Sequence, residues 1–395
     1  MAISLACSPA GAATVRPVAS PDPRSHGTPE ARVPPDGGRP WPRRGRGSAS
    51  TSSAGTAAAV ASHMCVVGLA EETGGSIQNP ASAQGLVGIK PTIGLVPNAG
   101  VVPLSGNRDV VGPIARNVED AALCLDVLAG FTTEDPKTLA SVGRIPAGGY
   151  AAGLSADGLK GKRIGLYGPG WRPDALSDET AALYGRAKSE LEAAGAILVE
   201  DPFVGTDFAS LRQVTPGTPF FDGRGLESIA WDMTCYLRRL GPDAAIKTWD
   251  GFVAATKAED PFAPGAILGY LHELPDFTEA MKSPETPPAM PEFTALKARY
   301  LELLAEVFER HALDALAYPQ MLCELPGLHS GDAILETTVG ELNIAGIPGV
   351  TVPAGYYASG APFELIFLGL QWSEAGLIKC AHAYEQATHH RRPAL

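Results

Sequence analysis

Apolar and polar positions alternate with a helical period most plainly in "PEFTALKARYLELLAEVFERH" (291–311), which predicts one amphipathic helix. "NVEDAALCLDVLAG" (117–130) predicts another. Asn117 is its N-cap, Glu119 and Asp120 sit in the first turn at the positive end of the helix dipole, and Gly130 is the stop; Val118, Ala122, Leu125 and Ala129 form the buried stripe. Between these, "KRIGLYG" (162–168) reads as a strand, "SDETAALYGRAKSELEAAG" (177–195) as a capped helix and "AILVED" (196–201) as the next strand. This βαβ unit implies parallel pairing. Farther on, "LDALAYP" (313–319) predicts a strand and "GVTVPAGYYASGAPFELIFLG" (349–369) two strands around a Ser-Gly turn. A final helix is expected over roughly Glu374 to Thr388. Residues 202–290 carry many prolines and aromatics with weak periodicity, and are expected to form helices and loops that shape a pocket or cover the sheet.

The first 50 residues break this pattern. They contain nine prolines and seven arginines but no lysine, and the first lysine of the whole chain is Lys90. Such a composition cannot pack a core. Residues 1–47 therefore read as a low-complexity Pro/Arg/Gly-rich segment, either a disordered basic tail or the translation of GC-rich DNA in the wrong frame. The organised domain is expected over 48–395. From Ser48 a serine cluster leads into an alanine run with high helix propensity.

Composition narrows the function classes. With 45% hydrophobic residues over 395 positions, the chain can bury a large core. A formal net charge of -12 argues against a nucleic-acid or anionic-membrane partner, because such surfaces are met with a basic face. The six cysteines show no CxxC pair and no His/Cys grouping at metal-ligand spacing, so reduced thiols, a cytoplasmic setting and no metal are expected. No apolar run reaches the roughly 18 residues of a spanning helix, and the amino terminus lacks the order of a signal peptide. The absence of a P-loop or dinucleotide fingerprint predicts no nucleotide cofactor.

The chemistry concentrates in "EETGGSIQNPAS" (71–82). Two glycines before a serine let the backbone turn consecutive N–H groups toward one point, as an oxyanion site requires, and each such donor is worth on the order of 3–4 kcal/mol. By itself the string reads more readily as a Gly-Gly turn with a surface serine. Its context changes that reading. Together with "STSSAGTAAAVAS", "GLVGIKPTIGLVPNAGVVPLSGNRDVVGPIARNVEDAALCLDVLAG" and "NIAGIPGVTVPAGYYASGAPFELIFLG", the chain from about Ser48 onward resembles the amidase signature family of serine hydrolases. The likeness is strongest over 48–130 (the signature region) and 310–390 (the C-terminal core), with 202–290 as the variable pocket and cover region.

The resemblance implies a single α/β domain with a mixed, largely buried sheet covered by helices. It also implies a Ser-Ser-Lys triad in which Ser76 is the nucleophile and Ser52, 24 residues earlier and held by a cis peptide bond, relays the proton. Oxyanion donors would come from the backbone of Thr73, Gly74, Gly75 and Ser76. The expected activity is hydrolysis of a small carboxamide through an acyl-serine; the alternatives are a catalytically silent chain or an ammonia-transferring amidotransferase component. All three are compatible with a homo-oligomer.

Three departures qualify this. The base lysine of the family lies well ahead of the relay serine, yet no lysine precedes Ser52, and Arg43 or Arg44 cannot deprotonate to replace it. The domain is accordingly expected to be N-terminally incomplete, and this coincidence favours the out-of-frame account of residues 1–47. "SASTSS" stands where two glycines usually precede the relay serine, and Glu364 occupies a place that is small in relatives. Lys90 is assigned a structural role. Elsewhere His63 is expected on a helix between the two serines, Glu71 and Glu72 as loop-orienting or solvent-facing acids in preference to a carboxylate pair, and His389 to Arg392 as a frayed, solvated tail without an acidic partner.

Overall fold

A computed structural model describes residues 52–218, 221–256, 260–266, 268–327, 330 and 332–392. In chain order the elements are α1 (Ala54–Ala61), β1 (Val67–Glu72), α2 (Gln78–Ala83), β2 (Val87–Lys90), β3 (Val110–Ala115), α3 (Val118–Leu128), β4 (Arg163–Leu166), α4 (Asp178–Ala193) and β5 (Ile197–Val199). They continue with α5 (Phe208–Leu211), α6 (Ile229–Arg239), α7 (Trp249–Ala255), α8 (Phe277–Lys282), α9 (Pro291–His311), β6 (Ala315–Pro319), α10 (Gly340–Ala345), β7 (Gly349–Tyr356), β8 (Pro362–Leu368) and α11 (Glu374–Thr388). No helix among the described residues is long and apolar enough to cross a membrane.

The eight strands form one sheet in the order β1-β3-β2-β7-β8-β6-β4-β5. Pairing is antiparallel from β1 through to β6 and parallel for β6/β4 and β4/β5, so the sheet is mixed, as expected. The βαβ unit of 162–201 is present: Arg163, Ile164 and Gly165 of β4 lie beside Ile197, Leu198 and Val199 of β5, with α4 between them in sequence. Caps follow the sequence reading. The Asn117 side chain accepts from Asp120 N, and Ser177 from Thr180 N.

Both faces of the sheet are covered. Along β6, Ala315 and Ala317 face a core shared with α3, α4 and α11, whereas Leu316 and Tyr318 face one built by α9 and α10. Leu365 and Phe367 of β8 point to the first core, Ile366 and Leu368 to the second. This two-sided burial explains why these strands read as nearly unbroken apolar runs. Residues 221–281 form a separate apolar cluster around Leu226, Trp249, Phe262 and Phe277, consistent with the helix-and-loop character expected of that stretch. A fourth cluster joins α1, β1, β3 and the turn after β1 through Ala57, Val60, Ala70, Ile77, Ala81 and Ile114.

Strands β1, β2 and β3 are not evident from the pattern, because glycine and proline interrupt them. Gly112 in β3 is required by close approach: a Cβ there would overlap the Ile89 carbonyl oxygen. Pro113 has no N–H to give, and the β2/β3 ladder stops one residue short of it, at Gly88 opposite Ile114. Gly112→Ala is therefore expected to lower stability by about 1–3 kcal/mol or more, read from urea denaturation midpoints; a change within experimental error would show that β2 and β3 can separate without cost.

Candidate active site

The turn from β1 into α2 is organised by one carboxylate. Glu72 is fully buried; its Oε2 accepts from Ile77 N (2.9 Å) and Gln78 N (3.1 Å). Its Oε1 accepts from Gln78 Nε2 and from Asn343 Nδ2 of α10 (2.9 Å). The helix it introduces is only six residues long and its N-cap, Ile77, has no polar side chain, so Glu72 satisfies first-turn donors that the local sequence leaves open. Ile77, fully buried, anchors the turn in the α1/β1 cluster.

Within this turn Gly75 has φ +94°, and a Cβ on it would lie 2.7 Å from Asn79 Nδ2 and 3.1 Å from Val339 Cγ2. Only glycine fits such a position. Its carbonyl accepts from Asn79 N at 2.8 Å. A Cβ on Gly74 would meet the ring of Phe221 at 2.5 Å. Among the described residues, none accepts from the backbone N–H of Gly74, Gly75 or Ser76, in contrast to the amides of residues 77–79.

The two acids of "EET" point to opposite sides of β1. Glu71 pairs with Asp109 rather than Glu72: the Thr73 hydroxyl lies 2.6 Å from Asp109 Oδ1 and 3.1 Å from Glu71 Oε1. One hydroxyl hydrogen cannot serve two carboxylates at once. Burial, followed by the charge of Asp109, pushes Glu71 well above the usual carboxylate range, and burial raises Asp109 to about 6. The pair thus retains a proton at pH values where isolated carboxyls have lost theirs. Asp109 Oδ2 accepts from Leu104 N and Ser105 N, both at 2.9 Å.

Ser52 lies just ahead of α1 and is exposed. The neighbouring Ser53 sends its hydroxyl to the Glu71 carbonyl at 3.5 Å, and Thr56 Oγ1 donates to the Leu69 carbonyl at 3.0 Å. The structure thereby brings the start of α1 to the end of β1, close in sequence to Ser76; no hydrogen bond joins Ser52 to Ser76 among the described residues. The cis peptide bond expected at Ser52 is not found among the described residues; Thr51, on its amino side, lies outside them, as do Arg43 and Arg44. Lys90 is fully buried, and its ammonium donates to the carbonyls of Ile347 (2.9 Å) and Pro91 (3.3 Å), tying β2 to the chain entering β7. Burial lowers its pKa to about 8, against the raising influence of Glu72 and Glu374.

Two expectations are corrected. His63 is not on a helix: α1 ends at Ala61, and His63 is an exposed turn residue with φ +63°. The tail after α11 is docked rather than frayed. His390 Nε2 lies 2.9 Å from Glu190 Oε1 of α4, and the Arg392 backbone N–H donates to the Tyr356 hydroxyl at 2.9 Å. The acidic partner of His390 comes from 200 residues away, where no local pattern reveals it. Among the described residues no cluster of His, Cys, Asp and Glu could hold a metal ion.

Sequence reasoning also missed Arg108. It is fully buried, its Nε donates to the Thr73 carbonyl (3.0 Å), and its Nη1 donates to the carbonyls of Asp222 (2.6 Å) and Arg224 (3.1 Å). Nothing in its local pattern distinguishes it from a surface arginine.

Two measurements test this geometry. Asp109, raised when folded, contributes stability that is fully present below the ordinary aspartate range and lost as pH rises through about 6. The stability of Asp109→Asn relative to the parent chain is therefore expected to improve steadily from pH 4 to pH 7 in thermal melts, and parallel curves would count against the assignment. Glu72→Ala strands two backbone donors and the Gln78 and Asn343 amides in a buried site, so a loss of about 2–4 kcal/mol in denaturant titration is expected, with Glu72→Gln intermediate; equal stability of all three chains would remove Glu72 from its organising role.

The family model described as "Amidase" matches residues 39–214. A protein of Arabidopsis thaliana described as "Probable amidase" is 31% identical over 354 residues, covering 87% of this chain and 61% of that protein. A glutamyl-tRNA(Gln) amidotransferase component of Thermosynechococcus vestitus is 32% identical over 389 residues, covering 90% of this chain and 71% of its own length. The X-ray structure of native peptide amidase from Stenotrophomonas maltophilia superimposes with a TM-score of 0.66 at 30% identity, covering 90% of this chain and 69% of that one. This chain spans 61% of the plant relative's length. On the sequence match, the shared fold and the coverage of relatives at this level of identity, the chain belongs to the amidase signature family.

Proposed function

We propose that this domain hydrolyses a small carboxamide through an acyl-Ser76 intermediate. The observation that carries the reading is the turn pinned by Glu72, in which Gly74, Gly75 and Ser76 present backbone N–H groups that no described residue uses. In this reading Ser76 Oγ attacks the carbonyl carbon. The tetrahedral oxyanion is met by those N–H groups, and the C–N bond breaks to release ammonia or an amine. Ser52 hands the Ser76 proton on, through a base, to the departing nitrogen, and water then attacks the acyl-serine to give the free acid and restore the Ser76 hydroxyl. A cytoplasmic setting suits the five described cysteines, all free thiols.

The proton's final acceptor limits the rate. Lys90, the first lysine in this chain, is committed to the carbonyls of Pro91 and Ile347, with no hydrogen bond to Ser52 or Ser76 among the described residues. Acylation by the chain is therefore expected to run slower by roughly the 10²–10⁴ that general base catalysis contributes. The same observation favours a second reading, a catalytically silent chain kept for binding. The similarity to a glutamyl-tRNA(Gln) amidotransferase component gives a third, in which the ammonia passes to an acylated acceptor.

A fluorescent alkyl phosphonate applied to the full chain separates the first two. Slow covalent labelling that maps to Ser76 by peptide mass spectrometry and vanishes in Ser76→Ala is the expected result. Labelling at another residue, or none after prolonged exposure alongside a complete absence of amide hydrolysis, would leave the silent reading in place.

A further inference from the structure

Arg108 touches both the Ser76 turn and the variable segment. Its guanidinium is held on two sides, by the Thr73 carbonyl and by the carbonyls of Asp222 and Arg224, while Nη2 is buried with no acceptor among the described residues. A guanidinium presents five N–H donors in a rigid fork, so fixing Nε and Nη1 fixes the direction of Nη2 as well. The Phe221 ring stacks on this guanidinium at 5.1 Å from its centroid and also closes over Gly74. Tyr270 meets the edge of Phe221 with centroids 6.1 Å apart. One corner therefore combines the backbone of residues 73–74, an aromatic wall and an unserved double donor.

We propose that Arg108 determines the substrate class: its Nη2 hydrogen-bonds a second, neutral carbonyl oxygen on the acyl side of the carboxamide attacked by Ser76. This deepens the hydrolase reading and rests on it. Buried donors without an acceptor are costly, and a substrate carbonyl relieves that cost only when bound. The neutral acceptor is favoured over a carboxylate by the charges around the corner. Asp222, Glu227 and Asp109 all lie in the electrostatic neighbourhood of Arg108. Asp222 is already paired with Arg224. A further anion would meet Glu227 and the one charge left on the Glu71/Asp109 pair, with one cation to share. A carbonyl dipole takes the two donors without adding charge.

The test compares ligands that differ in one group, by calorimetric titration into the intact chain: 4-oxopentanamide, pentanamide, which replaces the ketone with a methylene, and succinamate, which replaces it with a carboxylate. The expected result is that 4-oxopentanamide binds at least about tenfold more tightly than either other ligand, and that Arg108→Met reduces the ratio to within about threefold. Arg108→Lys, which keeps a donor but loses the fork, should fall between them. Equal binding of ketone and methylene, absence of binding by all three, or preference for succinamate each overturns the inference in the parent chain, so the result does not depend on a variant that fails to fold. The phosphonate experiment reports separately on Ser76. A retained ketone preference without labelling would support the Arg108 contact and sink the hydrolase reading, whereas labelling without ketone preference would do the reverse.

Discussion

The site depends on a carboxylate removed from water. An ionised glutamate in a protein interior survives only where hydrogen bonds replace its hydration, and Glu72 receives four of them, from two backbone amides and two side-chain amides. Those donors come from the turn itself, from α2 and from α10, which lies 271 residues away in sequence at Asn343. Satisfying this single charge therefore fixes three separate stretches of chain at one point. The next ring of polar groups continues the same logic. Asn79 accepts from Gln320 Nε2 at 3.3 Å, and Gln320 Oε1 accepts from Thr351 Oγ1 at 3.4 Å, so the turn is coupled through amides to β7 and to the end of β6.

From that anchor the surrounding parts divide by how they are held. Helix α10 is positioned by a bidentate buried pair, Arg172 Nε and Nη2 with Glu341 Oε1 and Oε2, both at 2.7 Å, and by the packing of Leu342 and Ile344 against α9 and the sheet. Breaking such a pair from one side leaves a charge unpaired in a dry interior, which is why α10 cannot drift without disturbing Val339 over Gly75. The segment carrying Phe221 is held differently. It belongs to its own apolar cluster and touches the turn through the Phe221 ring and through the backbone carbonyls of Asp222 and Arg224, which receive Arg108. Carbonyl contacts do not depend on side-chain identity. The wall of the site can thus change sequence while the turn beneath it keeps its shape.

That division matches what was legible in the sequence. Helices α3, α4, α9 and α11 show their period over eleven or more residues each, α3 and α4 with capping side chains as well, and β4 to β8 lie in apolar runs bounded by turn residues. The first three strands hide behind Gly68, Gly88, Gly112 and Pro113; the glycines are demanded by close packing rather than by turns, against side chains of α1 and α2 at Gly68 and Gly88 and against the Ile89 carbonyl at Gly112. Helices α2 and α10 have six residues, too few to display a period. The string around Ser76 was readable because glycine identity follows from backbone conformation. The contributions of Asn343, Arg108 and Glu190 were not, since each depends on a partner more than 30 residues away. Glu71 and Glu72 illustrate the limit: adjacent and chemically alike, they are sent to opposite faces of β1, one into a cage of donors and the other against a second acid.

The pairing of Glu71 with Asp109 bears on the chemistry as well as the fold. A turn that is to stabilise a developing oxyanion works against any negative charge nearby, because low-dielectric surroundings screen such charges poorly. Three carboxyls, Glu71, Glu72 and Asp109, lie within a few residues or one hydrogen bond of the turn. Glu72 has its charge spread over four donors and offset by the Lys90 ammonium. The other two are handled by protonation: burial and mutual proximity raise Glu71, and burial raises Asp109, so that the pair holds a proton where isolated acids would have lost theirs. Arg108, bonded to the Thr73 carbonyl, adds positive potential beside the turn. Burial thus does two jobs at one place, holding the turn in a geometry open only to glycine and keeping its electrostatic surroundings from repelling the charge that Ser76 chemistry would create.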